Sequence, residues 1–147
     1  MSEEMRARLY DLYTAYRTGR IDFVLSSYDN DAELISYAPI EVFPYLGRQH
    51  GKAAIAETMK KVHAEFEFLA YQPIFMVVED DNAGTIVMAR LRQRSTDRII
   101  QLLMAHFIRF RDGRIIELRE FMDSFDAVQQ VLGHEIDTAM PRRGPVR

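Results

Sequence analysis

The stretch MAHFIRFRDGRIIELREFM, residues Met104 to Met122, predicts two long strands that fold back on each other at Asp112-Gly113. Asp-Gly between two alternating apolar runs is a strong hairpin signal, because Gly adopts the positive φ that a tight turn requires and Asp bonds to the local backbone. We therefore expect this hairpin to lie at the centre of the fold, with the upstream helices and strands packed around it.

The register of the hairpin decides which side chains share a face, since a slip of one residue moves every side chain of a strand to the other face. A strict two-residue turn would set His106 opposite Arg119 and mix apolar with charged residues on both faces. One extra residue, as in a type I turn with a Gly bulge, would set His106 opposite Glu120, about 5 Å away at Cβ. We adopt this bulged register because one face then carries mostly apolar residues: Met104, His106, Ile108 and Phe110 against Ile116, Leu118, Glu120 and Met122.

Composition excludes several classes of protein. The chain has 147 residues, of which 48% are hydrophobic, and this suits one domain with one core. A net charge of −3 with dispersed basic residues predicts no nucleic-acid partner. The absence of Cys excludes disulfides and thiolate chemistry, and the spacing of the four His predicts no metal site. Without a signal-like start or a long apolar run, we expect a cytoplasmic protein with no membrane partner.

Helical periodicity predicts three helices before the hairpin and one after it. The first covers residues 3–17, a shorter one covers 21–28 and a third covers 52–66. The last helix covers 124–132, with Asp123 as its N-cap and Gly133 as its C-cap.

The remaining segments predict strands and one long loop. Strands are expected at residues 32–37, 71–79, 85–94 and 98–111, besides the closing strand of the hairpin. The loop EVFPYLGRQHG, residues 41–51, carries Phe43 and Tyr45, which we expect to be exposed and to rim a pocket. Helices followed by an antiparallel run predict an α+β domain over residues 1–133, and residues 134–147 are expected to form a flexible tail.

These segments resemble the nuclear transport factor 2-like superfamily, specifically its SnoaL-like and ketosteroid-isomerase-like members. The resemblance covers about residues 4–133. It implies a cone-shaped fold, in which a curved antiparallel sheet wraps around three N-terminal helices with a short C-terminal helix, a deep apolar pocket and a homodimer formed through the sheet. It rests on Tyr28 with Asp29-Asn30-Asp31-Ala32, on Gly47-x-x-x-Gly51-Lys52, and most on Asp112-Gly113-Arg114-Ile115 with Leu118-Arg119-Glu120-Phe121-Met122-Asp123.

The activities of these relatives match the chain unevenly. The Asp base of ketosteroid isomerases falls at Ser36, and the Tyr of their first helix falls at Leu12, beside Tyr13. Enzymes similar to limonene epoxide hydrolase use an acid that falls at Glu120 and an Arg-x-Asp tract that here is Arg90-Leu91-Arg92, which lacks the second carboxylate. SnoaL-type polyketide cyclases pair a His with a closing-strand acid fourteen residues later, and His106 and Glu120 have that spacing, with Glu in place of Asp.

Glu120 and His106 are therefore the candidate catalytic residues. A carboxylate among apolar side chains has its charged form disfavoured, so we expect the pKa of Glu120 to be raised and its carboxylate to accept protons near neutral pH. A neighbouring imidazolium would oppose that shift. Together the two could remove a proton next to a carbonyl and stabilise the enolate, or move a proton between carbons. The alternative, that they satisfy each other inside an ordinary core, stays open.

The expected function is that of a small cofactor-independent isomerase, cyclase or lyase acting on an apolar carbonyl compound. A non-catalytic ligand-binding or dimerisation module of the same fold is the alternative, because a fold does not determine a function. Arg90, on the face of Ile86 and Met88, would bind an acidic ligand group or extend to the rim of the pocket. The candidate ligand-binding residues are Tyr13, Tyr16, Tyr37, Arg90, Met104, Leu118 and Met122.

Overall fold

A computed structural model describes residues 2–139 of the chain. The predicted α+β architecture, with helices first and a short helix last, is confirmed. In chain order the elements are α1 (Ser2–Arg17), α2 (Ile21–Leu25), β1 (Tyr28–Ser36), β2 (Arg48–His50), α3 (Lys52–Glu65), β3 (Phe66–Glu79), β4 (Asn82–Gln93), β5 (Ile99–Arg111), β6 (Arg114–Met122) and α4 (Ser124–Leu132).

The strands form one sheet in the order β2-β1-β6-β5-β4-β3. Neighbouring strands are antiparallel except β1 and β6, which run parallel. The sheet is therefore mixed, whereas the sequence predicted an antiparallel one. The parallel pair brings the first strand of the chain beside the last, and sets Ser36 opposite Glu120.

The central hairpin combines a two-residue turn with an extra residue in β6. Arg111 pairs with Arg114 across a two-residue turn, in which Asp112 and Gly113 have φ of 51° and 75°, the signs of a type I′ turn. The extra residue lies beyond the turn, at Ile116, between two consecutive pairs of the ladder. The predicted pairing of His106 with Glu120 is confirmed, but the predicted bulge at the Gly was wrong.

Several boundaries differ from the predicted ones. The second helix ends at Leu25 because the chain enters β1 at Tyr28, and β3 begins at Phe66, directly after α3. A short strand, β2, forms inside the predicted loop. Phe43 was expected to be exposed but is buried, since it packs in the apolar cluster formed by β4, β5 and α4.

Two arginines of helix α1 form hydrogen bonds with the backbone of the sheet and its hairpin turn. Arg6 donates to the carbonyl of Met76 at 3.1 Å, and Arg8 donates to the carbonyl of Gly113 at 2.7 Å. Both bonds end on the sheet, at the hairpin turn and at β3. They hold the buried side of α1, including Tyr13, against the concave face of the sheet.

The chain end carries α4 across the start of β5. Gln130 forms two hydrogen bonds of 2.8 Å with the backbone of Gln101, one as donor and one as acceptor. Arg98 donates to the carbonyl of Val131 at 2.5 Å. Residues 134–139 of the predicted tail form neither helix nor strand, and residues 140–147 lie outside the described part of the chain.

No helix within residues 2–139 is long and apolar enough to cross a membrane.

Asp123 caps α4, and its removal should be measurable. Its carboxylate accepts a hydrogen bond of 3.1 Å from the backbone N–H of Asp126, as predicted. Asp123→Ala should lower the free energy of unfolding by about 1 kcal/mol, the usual cost of losing an N-cap. Urea unfolding measures this loss. Asp11→Ala, which removes an exposed carboxylate from within α1, is the matched control, and an equal loss in both variants would contradict the capping role.

Candidate functional site

The imidazole of His106 and the carboxylate of Glu120 meet on the concave face of the sheet. His106 Nε2 lies 2.9 Å from Glu120 Oε2, and their side chains are 3% and 18% exposed. The two residues are paired directly across β5 and β6. The imidazole of His106 is therefore almost wholly buried, whereas the carboxylate of Glu120 beside it stays partly accessible.

Tyr13 extends this pair towards α1. Its hydroxyl lies 2.7 Å from His106 Nδ1 and 2.7 Å from the hydroxyl of Thr85. Thr85 pairs with His106 across β4 and β5. On the other side of the pair, the hydroxyl of Ser36 donates to Glu120 Oε1 at 3.0 Å. Four adjacent strands and one helix thus supply a continuous hydrogen-bonded row.

The direction of donation in this row follows from the ionised carboxylate. A carboxylate can only accept, so His106 Nε2 must carry a hydrogen. In the neutral imidazole, Nδ1 then accepts from Tyr13, whose oxygen accepts from Thr85. In the imidazolium, Nδ1 donates to Tyr13, which donates to Thr85. Both protonation states of His106 therefore leave every group in the row with a partner.

The pKa of Glu120 is lowered, which corrects the prediction that it would be raised. Burial is the largest single influence and pushes the pKa up. The hydrogen bond and charge of His106, together with the hydrogen bond from Ser36, outweigh it. Both donors stabilise the charged form. Glu120 is therefore an ionised carboxylate at neutral pH, available as a proton acceptor.

Two cavities of about 80 Å³ each meet at Glu120 and Tyr71. Each is several times larger than the space that one water needs. We call them the inner and the outer cavity. The inner one is lined by Leu9, Leu12, Tyr13, Tyr16, Val24, Tyr28, Leu34, Met59, Tyr71, His106, Ile108, Ile115, Leu118 and Glu120. The outer one is lined by Phe43, Tyr45, Leu46, Val62, Phe66, Phe68, Tyr71, Leu91, Ile100, Leu102, Met104, Glu120, Met122, Ala127 and Val131.

Five of the seven predicted ligand-binding residues line these cavities. Tyr13, Tyr16 and Leu118 border the inner cavity, and Met104 and Met122 border the outer one. The structure brings them together with Glu120, which borders both.

Tyr37 and Arg90 lie elsewhere, against the prediction. Side chains alternate along a strand, so the inward direction of Ser36 turns Tyr37 outward, where its ring stacks on Phe121 at 4.3 Å. On β4 the odd-numbered residues are buried, and Arg90 is exposed on the opposite face. Neither side chain lines either of these two cavities.

Two tyrosines that the sequence did not single out as ligand-binding complete the inner cavity. Tyr28 begins β1, and Tyr71 lies on β3. Burial and the negative charge of Glu120 raise the pKa of the Tyr16, Tyr28 and Tyr71 hydroxyls, so all three stay protonated. Within residues 2–139 these three hydroxyls have no hydrogen-bond partner, so they remain available as donors. Strict alternation of side chains along β3 would place Tyr71 on the same face of the sheet as Phe75. The bulge between Pro73 and Phe75 interrupts this alternation, so Tyr71 could not be assigned to the cavity from the sequence.

Among the described residues, no three His, Asp or Glu side chains converge in a way that could hold a metal ion. Glu120 and His106 stand without a third such ligand, since the remaining partners of the row are hydroxyls.

Comparison with known proteins identifies the family of the chain. Residues 9–118 match the SnoaL-like domain family. The chain belongs to this family. Its resemblance to the nuclear transport factor 2-like superfamily is confirmed by solved structures as well. A crystal structure from Rhodopseudomonas palustris, of a protein for which isomerase activity has been suggested, is 30% identical, with 84% of this chain and 91% of that chain covered and a TM-score of 0.77.

Two further structures show the same fold. A nuclear transport factor 2-like protein from Burkholderia xenovorans is 22% identical, with 83% of this chain and 91% of that chain covered and a TM-score of 0.71. An epoxide hydrolase from M. tuberculosis, similar to limonene epoxide hydrolase, is 17% identical, with 90% and 91% covered and a TM-score of 0.70. No curated protein matches the chain.

The lowered pKa of Glu120 predicts how the stability of this SnoaL-like protein depends on pH. Glu120→Gln should lower the free energy of unfolding at neutral pH by about 1.5–3 kcal/mol, the usual contribution of hydrogen bonds to a charged group. Because folding lowers the pKa, this stabilisation is present above the unfolded pKa near 4.5 and is lost as pH falls through the folded value.

Thermal unfolding of both proteins from neutral pH down to about pH 3 measures the effect. The difference between them should shrink as the solution is acidified. Glu117→Gln removes a carboxylate from the outer face of the same strand. Its ion pair with Arg119 is partly exposed to solvent, so this variant should show a smaller difference at every pH. A constant gap between wild type and Glu120→Gln would contradict the lowered pKa.

Proposed function

We propose that the protein is a cofactor-independent enzyme that moves a proton next to the carbonyl group of an apolar small molecule, as an isomerase, cyclase or lyase. The observation that carries this proposal is the position of Glu120. Its carboxylate is held ionised by His106 and Ser36 at the junction of two cavities whose walls are mostly apolar. Proton abstraction from carbon needs such a base beside a dry binding space.

The carboxylate of Glu120 has unused acceptor capacity. Its two oxygens offer about four lone-pair positions, of which His106 and Ser36 occupy two. The others can accept a proton from a carbon beside the substrate carbonyl. The electron pair of that C–H bond then forms an enolate, and the proton stays on Glu120.

The enolate oxygen requires hydrogen-bond donors. The hydroxyls of Tyr16 and Tyr28 border the inner cavity and are protonated at neutral pH, so they can supply these donors. Returning the proton from Glu120 to another carbon would complete an isomerisation. Attack of the enolate carbon on a second group of the substrate would close a ring, and expulsion of a leaving group would complete a lyase reaction.

Family membership supports a proton-transfer activity of this kind. Isomerase activity has been suggested for the relative from Rhodopseudomonas palustris, which is 30% identical. Epoxide hydrolysis has weaker support from the site, because the tract at Arg90 carries no second carboxylate and Arg90 itself lies on the outer face.

A binding module without catalysis is the second candidate. The observation that favours it is the completeness of the row from Ser36 to Thr85, in which both nitrogens of His106 and both oxygens of Glu120 already have partners. A buried pair that is fully satisfied can be retained for structure alone.

Hydrogen–deuterium exchange at the α-carbons of a small ketone separates the two candidates without knowledge of the natural substrate. Wild-type protein in D₂O should accelerate the exchange of cyclohexanone α-protons above the buffer rate, as followed by proton NMR. Glu120→Gln should reduce the accelerated rate by roughly 10²- to 10⁴-fold, the usual contribution of a general base.

The matched control is Glu117→Gln, which removes a carboxylate of the outer face on the same strand and should leave the rate unchanged. Binding of the ketone to Glu120→Gln, followed by ligand-observed NMR, shows whether the variant still has its cavity. Equal exchange rates for wild type and Glu120→Gln, with binding intact in both, would leave the binding module as the better account.

We further propose a homodimer formed through the outer face of the sheet. Large exposed apolar patches mark interaction surfaces, and a second copy of the chain offers a surface of the same character. Phe107 lies 5.8 Å from Phe121, with their rings edge to face. The exposed apolar side chains of this face are Phe75, Val77, Ile86, Leu103, Phe107 and Phe121.

Light scattering tests this dimer. The wild type should have twice the chain mass of 17.2 kDa, and Phe107→Glu should shift it towards the monomer because a carboxylate would be buried in the interface. Phe23→Glu makes the same change on α2, where Phe23 is also exposed, and should leave the mass unchanged. A wild-type mass equal to one chain at micromolar concentration would refute the dimer.

A further inference from the structure

The outer cavity differs in chemistry from the inner one. Its walls come from the loop at Phe43, from α3 and α4, and from the strands β3, β4, β5 and β6. Apart from Glu120 and Tyr71, which it shares with the inner cavity, its one polar lining side chain is Tyr45. The hydroxyl of Tyr45 already donates to the carboxylate of Glu65.

Water has few partners in such a space. A buried water needs two to four polar groups around it, and apolar cavities stay dry and take up apolar molecules instead. Away from the junction, the outer cavity offers aliphatic and phenyl groups such as Leu91, Leu102 and Phe68. Its physical preference is therefore for hydrocarbon.

The two cavities differ in the hydrogen-bond donors that they offer. The inner cavity holds the hydroxyls of Tyr16 and Tyr28 as donors, whereas the outer cavity adds to the shared Tyr71 only Tyr45, which donates to Glu65. Glu120 and Tyr71 border both. A molecule that lies across this junction would place oxygen on one side of Glu120 and carbon chain on the other.

We infer that the outer cavity is a subsite for the hydrocarbon portion of the substrate. The substrate class is then a carbonyl compound that carries an aliphatic chain or ring beyond its reacting carbon, with the carbonyl oxygen among the tyrosines. This inference rests on the proposed function for the identity of the reacting carbon. The preference of the outer cavity for hydrocarbon rests on its own lining.

Helix α4 forms one wall of this subsite through Ala127 and Val131. The bonds of Gln130 to Gln101 and of Arg98 to Val131 hold that wall in place. The length of hydrocarbon that fits is therefore limited by a fixed wall, and affinity should stop rising once the chain reaches it.

A homologous series of straight-chain methyl ketones, from pentanone to decanone, tests the subsite by ligand-observed NMR titration. In the wild type, the dissociation constant should fall about threefold to fourfold per added methylene until the outer cavity is filled. Leu102→Trp fills this cavity from β5 and should abolish the fall, while pentanone binds as before. Val62→Phe fills it from α3 and should have the same effect if Leu102→Trp does not fold.

Leu132→Trp is the matched control, since Leu132 is exposed on α4 and the larger ring would lie outside the cavity. It should keep the full dependence on chain length. A wild-type affinity that does not change with chain length would overturn the subsite. So would a dependence that persists in both cavity-filling variants, because the chain would then lie elsewhere.

The outcome is separable from that of the proposed function. α-Proton exchange on pentanone reports the chemistry at Glu120, whereas the chain-length dependence reports the outer cavity. If the protein catalyses α-proton exchange but its affinity does not depend on chain length, the subsite is contradicted and the enzymatic function is supported. If affinity rises with chain length but no exchange is catalysed, the subsite is supported and the enzymatic function is contradicted.

Discussion

The side-by-side placement of Ser36, Glu120 and His106 on three adjacent strands is the constraint on which the site depends. Parallel pairing sets Ser36 beside Glu120, and antiparallel pairing sets Glu120 beside His106. Because side chains alternate along a strand, one residue of slip in β6 would turn Arg119 inward in place of Glu120. The extra residue at Ile116 prevents that slip while leaving the tight turn intact.

The cavities beside this row are costly for a chain of this size. Side chains that line an unfilled space lose packing contacts there, so each space of about 80 Å³ lowers the stability of the fold. A core under selection for stability alone would fill them with larger side chains. Their position on both sides of an ionised carboxylate is the arrangement expected of a binding site, where stability is given up for space.

The sequence predicted the architecture and the central pair well because both follow from strong local patterns. Asp112-Gly113 specifies a turn, and segregating apolar from charged residues favours one register for His106 and Glu120. The position of the bulge could not be predicted, since Gly113 and Ile116 both produce that register. The outward directions of Tyr37 and Arg90 depend on which residues of β1 and β4 face the core. The pairing of these strands with their neighbours determines that face, and the sequence alone does not specify it.

The predicted direction of the pKa shift of Glu120 was wrong. Apolar neighbours along β6 predict a raised pKa, but the hydrogen bond and charge of His106, together with a hydrogen bond from Ser36, outweigh burial. Ser36 lies 84 residues away in the chain and donates only because β1 pairs with β6. Tyr28 and Tyr71 enter the site for the same reason, from strands whose contacts are long-range. Chemistry that depends on donors from distant strands becomes visible only once the sheet is assembled.

The central claim is that Glu120 is an ionised acceptor held by His106. Long-range nitrogen–proton correlation NMR of the imidazole rings tests it most directly, with the signals of His106 assigned by comparison with His106→Ala. An ionised Glu120 requires a proton on His106 Nε2 at neutral pH, whether or not Nδ1 is also protonated. A neutral ring with its proton on Nδ1 and a bare Nε2 would mean that Glu120 is protonated and donates to it, which would contradict the account.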